Sequence, residues 1–340
     1  MKTYEIQKYG GPEGLELVDR PLPERGDHDV VVQIRAASLN YRDLVVIRGK
    51  YDRNPRAGRV PLSDGAGEVV SVGSAVTRVK VGDRVAGCFF QGWSSGRFEA
   101  AMHRTALGGP IDGVLAEQVK FLEEGVVHLP EGYSFEEGAT LPCAAVTAWQ
   151  SLIVRGQLVP GESVLLLGTG GVSIFGLQIA KATGAKVIIT SSSDEKLERA
   201  RKLGADAVIN YKTTPDWGKA AASLAGSEGV DHVVEVGGAG TFLQSVRACR
   251  SGGKIGLIGI LSGREAVSEI FPIVAKAATV CGIYVGSREM FEGLNRALEQ
   301  AKIRPVIDKV FPFESAREAY EYMGDGYHFG KVVIRVGSSC

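Results

Sequence analysis

The stretch Leu165-Leu166-Leu167-Gly168-Thr169-Gly170-Gly171-Val172-Ser173 constrains the fold of this chain more than any other. Residues 163–167 form a largely continuous apolar run, the mark of a parallel strand buried on both faces. Residues 172–183 then switch to helical spacing, with Val172, Phe175, Ile179 and Ala182 on one stripe. A buried strand, a glycine turn and a helix in that order make the first half of a βαβ unit. The alternation continues with strands at 186–190, 207–209, 231–236 and 254–260, and helices at 194–203, 216–224 and 241–250. Helix 194–203 reads as opening on a capping box, Ser192 with Glu195, and stopping at Gly204. Such alternation predicts an α/β fold, a doubly wound parallel sheet with helices on both sides.

The flanks have a different texture. The first ~120 residues are β-rich, with strand signals at 30–34 and 68–72 and turn signals at Arg25-Gly26-Asp27 and Val81-Gly82-Asp83. Between Cys88 and Val114 the periodicity fades among Gly92, Gly96, Gly108, Gly109 and Gly113, which reads as a long surface loop or lid. The last ~55 residues return to mixed strand and helix and close on a strand at 331–336. A chain of 340 residues, 44% hydrophobic and 23% charged, can bury two domains.

Charge and cysteine usage exclude several functions. The 39 basic and 39 acidic residues cancel and no basic run occurs, which argues against a nucleic-acid or anionic-membrane partner. No apolar run approaches the ~20 residues that span a bilayer. The segment Met1-Lys2-Thr3-Tyr4-Glu5-Ile6 lacks the apolar core of a signal peptide. The cysteines at 88, 143, 249, 281 and 340 show no paired spacing, so a reducing cytoplasm is the expected location.

The glycine turn carries a chemical reading of its own. Gly168 permits the tight turn, Gly170 lets backbone approach a pyrophosphate, and Gly171 and Val172 open a helix whose N–H groups bind phosphate. Ser173 stands where the G-x-G-x-x-G fingerprint has its last glycine. At the end of the next strand an NAD site places a carboxylate ~20 residues on, to hold the ribose 2′-hydroxyl. Here Ser191, Ser192 and Ser193 occupy that point, with Lys196 one turn into the helix, which favours NADP(H) over NAD(H). A second reading stays open, in which the serines cap the helix and Asp194 or Glu195 reaches the ribose.

Taken together, these pieces resemble the medium-chain dehydrogenase/reductase superfamily, and within it the zinc-free quinone oxidoreductase-like branch. The resemblance rests on ASLNYRDL (37–44), PLSDGAGEVV (61–70), VGDRV (81–85), LPCAAVTAW (141–149), the glycine turn, VINY (208–211), VVEVGG (233–238) and GKVVI (330–334). It implies a Rossmann nicotinamide-dinucleotide domain (129–284) inserted into a GroES-like β-rich catalytic domain, whose two segments are 1–128 and 285–340. It also implies that the cofactor lies in the cleft between the two domains. By similarity, Thr147, Asn210, Tyr211, Val236, Gly237, Gly259, Ile260, Gly330 and Lys331 join the turn residues in holding the cofactor. Lys196 and Tyr211 match contacts to the 2′-phosphate in NADPH-using relatives. A homodimer is implied through the edge strand from Thr279 to Val285.

The same resemblance bears on metal. Its catalytic zinc ligands fall at Asn40, Ser63 and Cys143, with Asp64 where the family has Glu, and neither an amide nor a serine hydroxyl is an ordinary zinc ligand. No metal is expected. The five histidines have no ligand spacing, and no G-x-S-x-G elbow marks a serine hydrolase. Without a Lewis acid, conjugated acceptors are the easier substrates, because hydride addition spreads charge over an enolate or phenolate that hydrogen-bond donors can stabilise. The expected activity is NADPH-dependent reduction of a small apolar or conjugated carbonyl or quinone. Asn40 and Tyr51 match polar positions near the nicotinamide, with Asp43 in the same turn. Asn40 also reads as a turn residue bonding to backbone, and Asp43 as structural. Phe89, Phe90 and Trp93 read either as an apolar substrate wall or as core. The alternatives are an alcohol dehydrogenase or ketoreductase, and a non-catalytic NADPH-binding protein.

Overall fold

The structure, a computed structural model, describes residues 1–337 apart from 53–54, 227, 260 and 263–268. Its contacts divide the chain into two units: residues 1–146 together with 286 onward, and Thr147–Val285. Residues 129–146, expected from sequence in the inserted domain, belong to the first unit. The helix Phe135–Ala139 packs there on the strands Asp29–Ser38, Asp64–Val72 and Lys331–Arg335.

The inserted unit is a six-stranded sheet, entirely parallel. Its order is Ala207–Asn210, Lys186–Ser191, Ser163–Leu166, Val230–Glu235, Cys249–Leu257, Thr279–Gly282. The first strand in sequence, Ser163–Leu166, therefore lies centrally with every residue buried, as its apolar run requires. The helix Gly171–Thr183 follows and ends at Gly184, whose φ of 87° is the left-handed C-terminal stop. Its buried face runs through Ile174, Phe175, Leu177, Ile179 and Ala180, and Ala182, expected on the buried stripe, is exposed. The next helix, Asp194–Lys202, is capped one residue later than expected. Ser193, not Ser192, is the N-cap, and its hydroxyl accepts from the Lys196 N–H at 3.3 Å. The position opposite the cap is therefore Lys196 rather than Glu195, which leaves no reciprocal carboxylate. The edge strand ends at Gly282 rather than Val285, whose φ of 54° takes the chain out of extended conformation.

The first unit is built on the long strand Asp29–Ser38. Its first half pairs with Gln118–Leu122, its second half with Lys331–Arg335, and its other edge with Asp64–Val72, all antiparallel. Lys331–Arg335 pairs in parallel with Ile307–Pro312 on its far side, so the C-terminal strand is internal to the sheet. The core beneath gathers Ile34, Leu44, Ile47, Leu62, Val85, Val332 and Ile334.

The segment 88–114 is a surface loop only in its middle, where residues 95–97, 99–101 and 103–104 are exposed, and its two ends are buried. Phe89, Phe90 and Trp93 are buried, Phe90 meets Phe89, Trp93 and Phe98 at ring-centroid distances of 4.7, 6.0 and 5.1 Å, and residues 106–109 are buried again. These aromatics pack on one another as a buried cluster. Scarce periodicity hid this, because the packing is by ring edges rather than by a repeating stripe.

Candidate active site

Two groups of side chains stand out, one in each unit. In the first unit the strand Asp29–Ser38 delivers Asn40 to the start of the helix Tyr41–Ile47. Asn40 is the N-cap, and its backbone N–H donates to the Asp43 carboxylate at 2.8 Å. The Asn40 side chain itself is turned elsewhere. Its Oδ1 accepts from Lys331 Nζ at 2.6 Å, and the same ammonium donates to the Leu39 carbonyl at 2.6 Å. Lys331 and Asn40 are 3% and 8% exposed. The Asn40 Nδ2 has no hydrogen-bond partner.

Around this pair sit the other residues at the family's zinc positions. Ser63 Oγ donates to Asp64 Oδ1 at 2.6 Å, and the Cys143 N–H donates to Asp64 Oδ2 at 3.0 Å. Lys331 Nζ lies 4.0 Å from Asp64 Oδ2, and both side chains are buried. Burial pushes the Asp64 carboxyl up, while Lys331 pulls it down most strongly, followed by the Ser63 hydroxyl and then the amide of Asn40, which faces the carboxylate. Burial, then the charge of Asp64, raises the Cys143 thiol, so it stays protonated. Leu62, just before this group, is fully buried at φ 68°, a left-handed conformation that L residues seldom hold.

The donor set does not suit zinc. The amide oxygen is committed to an ammonium and the serine hydroxyl to a carboxylate, which leaves one thiol where the family has three ligands. Among the described residues no group of His, Cys, Asp and Glu could hold a metal ion.

Asp43 is also buried, and its carboxyl is pushed up to about 6 by burial, with the Arg42 guanidinium and the Asn40 N–H pulling the other way. Arg42 donates to the Leu107 carbonyl at 2.6 Å and lies 4.6 Å from the Tyr51 ring centroid and 4.7 Å from that of Phe89. Tyr51 is thus a half-buried ring stacked on a cation.

In the inserted unit the residues expected to hold a dinucleotide collect at the carboxyl ends of the parallel strands. Gly168, Gly170, Gly171 and Val172 follow the central strand. Ser191, Ser192 and Lys196 follow the next, Asn210 and Tyr211 the outer one, and Val236, Gly237 and Gly259 lie on the other side. The strand order reverses between Ser163–Leu166 and Val230–Glu235, the switch point at which such sheets bind ligands. Gly168 has φ 70°, and side-chain carbons placed on Gly168 or Gly170 would meet nothing within 4 Å, so open space faces the turn at the start of a 13-residue helix. That cradle fits a pyrophosphate. Ser173 explains its own departure from glycine, since its buried hydroxyl donates to the Leu167 carbonyl at 2.6 Å.

The ribose end is more specific than the sequence showed. Ser191 is buried and its Oγ accepts from the Ser193 N–H, while the amide of Asn210 donates to Asp194 at 2.7 Å. Tyr211 is 41% exposed, Thr147 is buried at the start of the unit, and Ile260 lies outside the described residues. Gly259 is required for packing, because a Cβ there would fall 1.5 Å from the Val236 carbonyl oxygen. Gly330, at φ 82°, sits in the first unit with Lys331, whose ammonium is engaged by Asn40 and Leu39.

Two residues, Glu235 and Thr190, and the role of a third, Asp64, emerge only in the structure. Glu235, buried, accepts from Gly237 N–H and Gly238 N–H at 2.7 and 2.9 Å and from Thr241 at 2.7 Å, and so shapes the VVEVGG loop. A carboxylate inside an apolar strand was its signal. Thr190 Oγ1 accepts from Gly168 N–H at 3.2 Å and ties the glycine turn to the next strand. Asp64 stands in the sequence only as a substitute for Glu, and its place as a buried counter-charge to Lys331 depends on the fold.

Comparison with known proteins follows the same lines. The alcohol dehydrogenase GroES-like domain family matches residues 26–131 and the zinc-binding dehydrogenase family residues 171–300. A zinc-type alcohol dehydrogenase-like protein of Schizosaccharomyces pombe is 44% identical over 331 residues, covering 96% of this chain and 94% of its own. A quinone oxidoreductase of Rattus norvegicus is 30% identical over 331 residues, covering 94% and 93%. The crystal structure of an NAD-dependent alcohol dehydrogenase matches with a TM-score of 0.91 at 35% identity, over 99% of this chain and 100% of that one. Matches of that extent, with the Rossmann and GroES-like architectures both in place, make this chain an oxidoreductase belonging to the medium-chain dehydrogenase/reductase superfamily.

Proposed function

We propose that this chain is an NADPH-dependent reductase of quinones and α,β-unsaturated carbonyls that works without zinc. The observation that carries the reading is the occupancy of the family's metal-ligand positions by Asn40, Ser63 and Cys143, with the Asn40 oxygen held by Lys331 and the Ser63 hydroxyl by Asp64. A reduced nicotinamide, when bound, supplies hydride. The chain's own contribution is then to bind the dinucleotide on the Gly168–Ser173 turn, exclude water, and offer a hydrogen bond to the oxygen on which charge develops. Asn40 Nδ2, buried and unpartnered, is the donor proposed for that oxygen. Tyr51 is proposed as a flanking group held on Arg42, and Asp43 as the support that fixes the turn of Asn40. At the ribose end, Ser191, Ser192 and Lys196 support the choice of NADPH, since no carboxylate ends the strand Lys186–Ser191.

A second reading has specific support. The names of the 44% and 35% identical relatives favour alcohol oxidation, the latter with NAD. One experiment separates the two: oxidation of NADPH and NADH against quinones, enones and ketones, with metal content measured on the same sample. The proposal expects enone or quinone turnover with NADPH that survives chelation. Activity that requires zinc, or faster use of NADH, would overturn it. We also propose a cytoplasmic homodimer paired through Thr279–Gly282. Its support is the strand's edge position and the exposed Ile270, Phe271 and Val274 near it in sequence, and a monomer by light scattering would refute it. Among the described residues no helix is long and apolar enough to cross a membrane.

A further inference from the structure

We infer that Lys331 is a positioning residue: its buried ammonium locks the Asn40 carboxamide so that the amide hydrogens, not the oxygen, face the developing oxyanion. The inference rests on the metal-free reading above and assigns a role that reading lacks. A carboxamide can present either end to a substrate, and the two ends have opposite polarity. An ammonium has only donors, so an amide held by it must offer its oxygen to the ammonium and its NH2 to whatever lies opposite.

Lys331 Nζ meets Asn40 Oδ1 at 2.6 Å and is itself anchored on the Leu39 carbonyl at 2.6 Å, with a side chain 3% exposed. Asp64, at 4.0 Å, supplies the counter-charge that makes a buried ammonium tolerable there, and it is fixed by Ser63 and the Cys143 N–H. The result is a buried, 8% exposed amide in a region where resemblance places a metal in relatives. Its oxygen is taken by Lys331, its NH2 faces Asp64 without closing a hydrogen bond of good geometry, and it keeps a second amide hydrogen to give. In the reaction, the acceptor gains hydride at its β-carbon from the reduced nicotinamide and the C=C π pair shifts towards the carbonyl. The resulting oxyanion accepts from Asn40 Nδ2–H, and a proton from water completes the reduction. Positive charge behind the amide strengthens that donor as charge builds on the oxygen.

Two readouts test this, one of them without turnover. With NADP+ present, the wild-type protein should bind the phenolate of 4-nitrophenol at least ~10-fold more tightly than the neutral phenol, visible in the absorbance spectrum, because the amide donor is set for an anion. Lys331→Met should abolish that preference and lower kcat for an enone by ~10–100-fold, towards the loss of a whole oxyanion donor, with KM for NADPH within two-fold. Lys331→Arg should restore most of both. Because Lys331→Met strands the Asp64 charge, the pair Asp64→Asn and Lys331→Met/Asp64→Asn repeats the comparison with neither charge buried alone. Adding Asn40→Ala to the double variant should then change little further. A wild-type phenolate preference that Lys331→Met/Asp64→Asn retains overturns the inference alone. A raised KM for NADPH with kcat intact makes Lys331 a cofactor anchor and also overturns it. No phenolate preference in the wild type also overturns the inference, whereas enone turnover that requires zinc overturns the metal-free reading and the inference with it.

Discussion

Asp43 is a carboxyl enclosed by its own helix start, and burial lifts it to about 6 against an ordinary 3.8. Below the lower value it is protonated in both the folded and the unfolded chain. Between the two values only the unfolded chain is ionised, so stability falls as pH rises, by about 3 kcal/mol from this group alone. Asp43→Asn, which keeps an acceptor for the Asn40 N–H, should flatten the decline in urea-unfolding free energy between pH 4 and 6; an unchanged slope would show that Asp43 is not its source. Lys196 carries a second prediction at this scale. Lys196→Glu should weaken NADPH by at least ~10-fold, about 1.4 kcal/mol, and NADH much less, measured by fluorescence titration. Equal losses would remove Lys196 from the 2′-phosphate. The residue types at 40, 63 and 143 were legible in the sequence and already spoke against zinc. What could not be read was where each atom points: that Asn40 Oδ1 meets Lys331 depends on a strand pairing across a sequence separation of 291 residues. Rotamer and register decide it, and neither is written in local spacing.

Elements were legible where one period dominates. The apolar strands of the inserted unit and their helices stand within a few residues of their expected positions, because burial on both faces leaves no competing pattern. Edges moved where two serines compete for one cap, as at Ser192 and Ser193. The burial of Phe89, Phe90 and Trp93 inside an otherwise exposed loop has no signature in spacing, because ring-edge packing has no period. Close backbone approach was equally hidden. Gly259→Ala would drive a methyl against the Val236 carbonyl, so the loops after Val230–Glu235 and Cys249–Leu257 must separate. The expected outcome is a loss of about 1–3 kcal/mol in denaturant unfolding, together with weaker dinucleotide binding. Ser173→Ala is a milder probe at the same strand ends. It removes the hydrogen bond to Leu167 and should cost about 1 kcal/mol without altering the turn.

At the scale of the whole molecule, one unit is continuous in sequence and the other is not. The return segment supplies Lys331–Arg335, a strand flanked on both sides, whose Val332 and Ile334 belong to the core of the first unit. Ending the chain at Gly330 should therefore abolish cooperative unfolding of the first unit, whereas ending it at Gly337 should not, as circular dichroism melts would show. Native melting of the shorter form would contradict the internal placement of that strand. The Asn40–Lys331 contact also sets an order of events during synthesis. When residue 40 leaves the ribosome, its partner has not been translated, and the whole inserted unit must be made first. A growing chain thus has an exposed asparagine and an unbalanced Asp64, but no oriented amide. The contact proposed to orient the amide is complete only when one late lysine arrives, and a product interrupted before it lacks that contact.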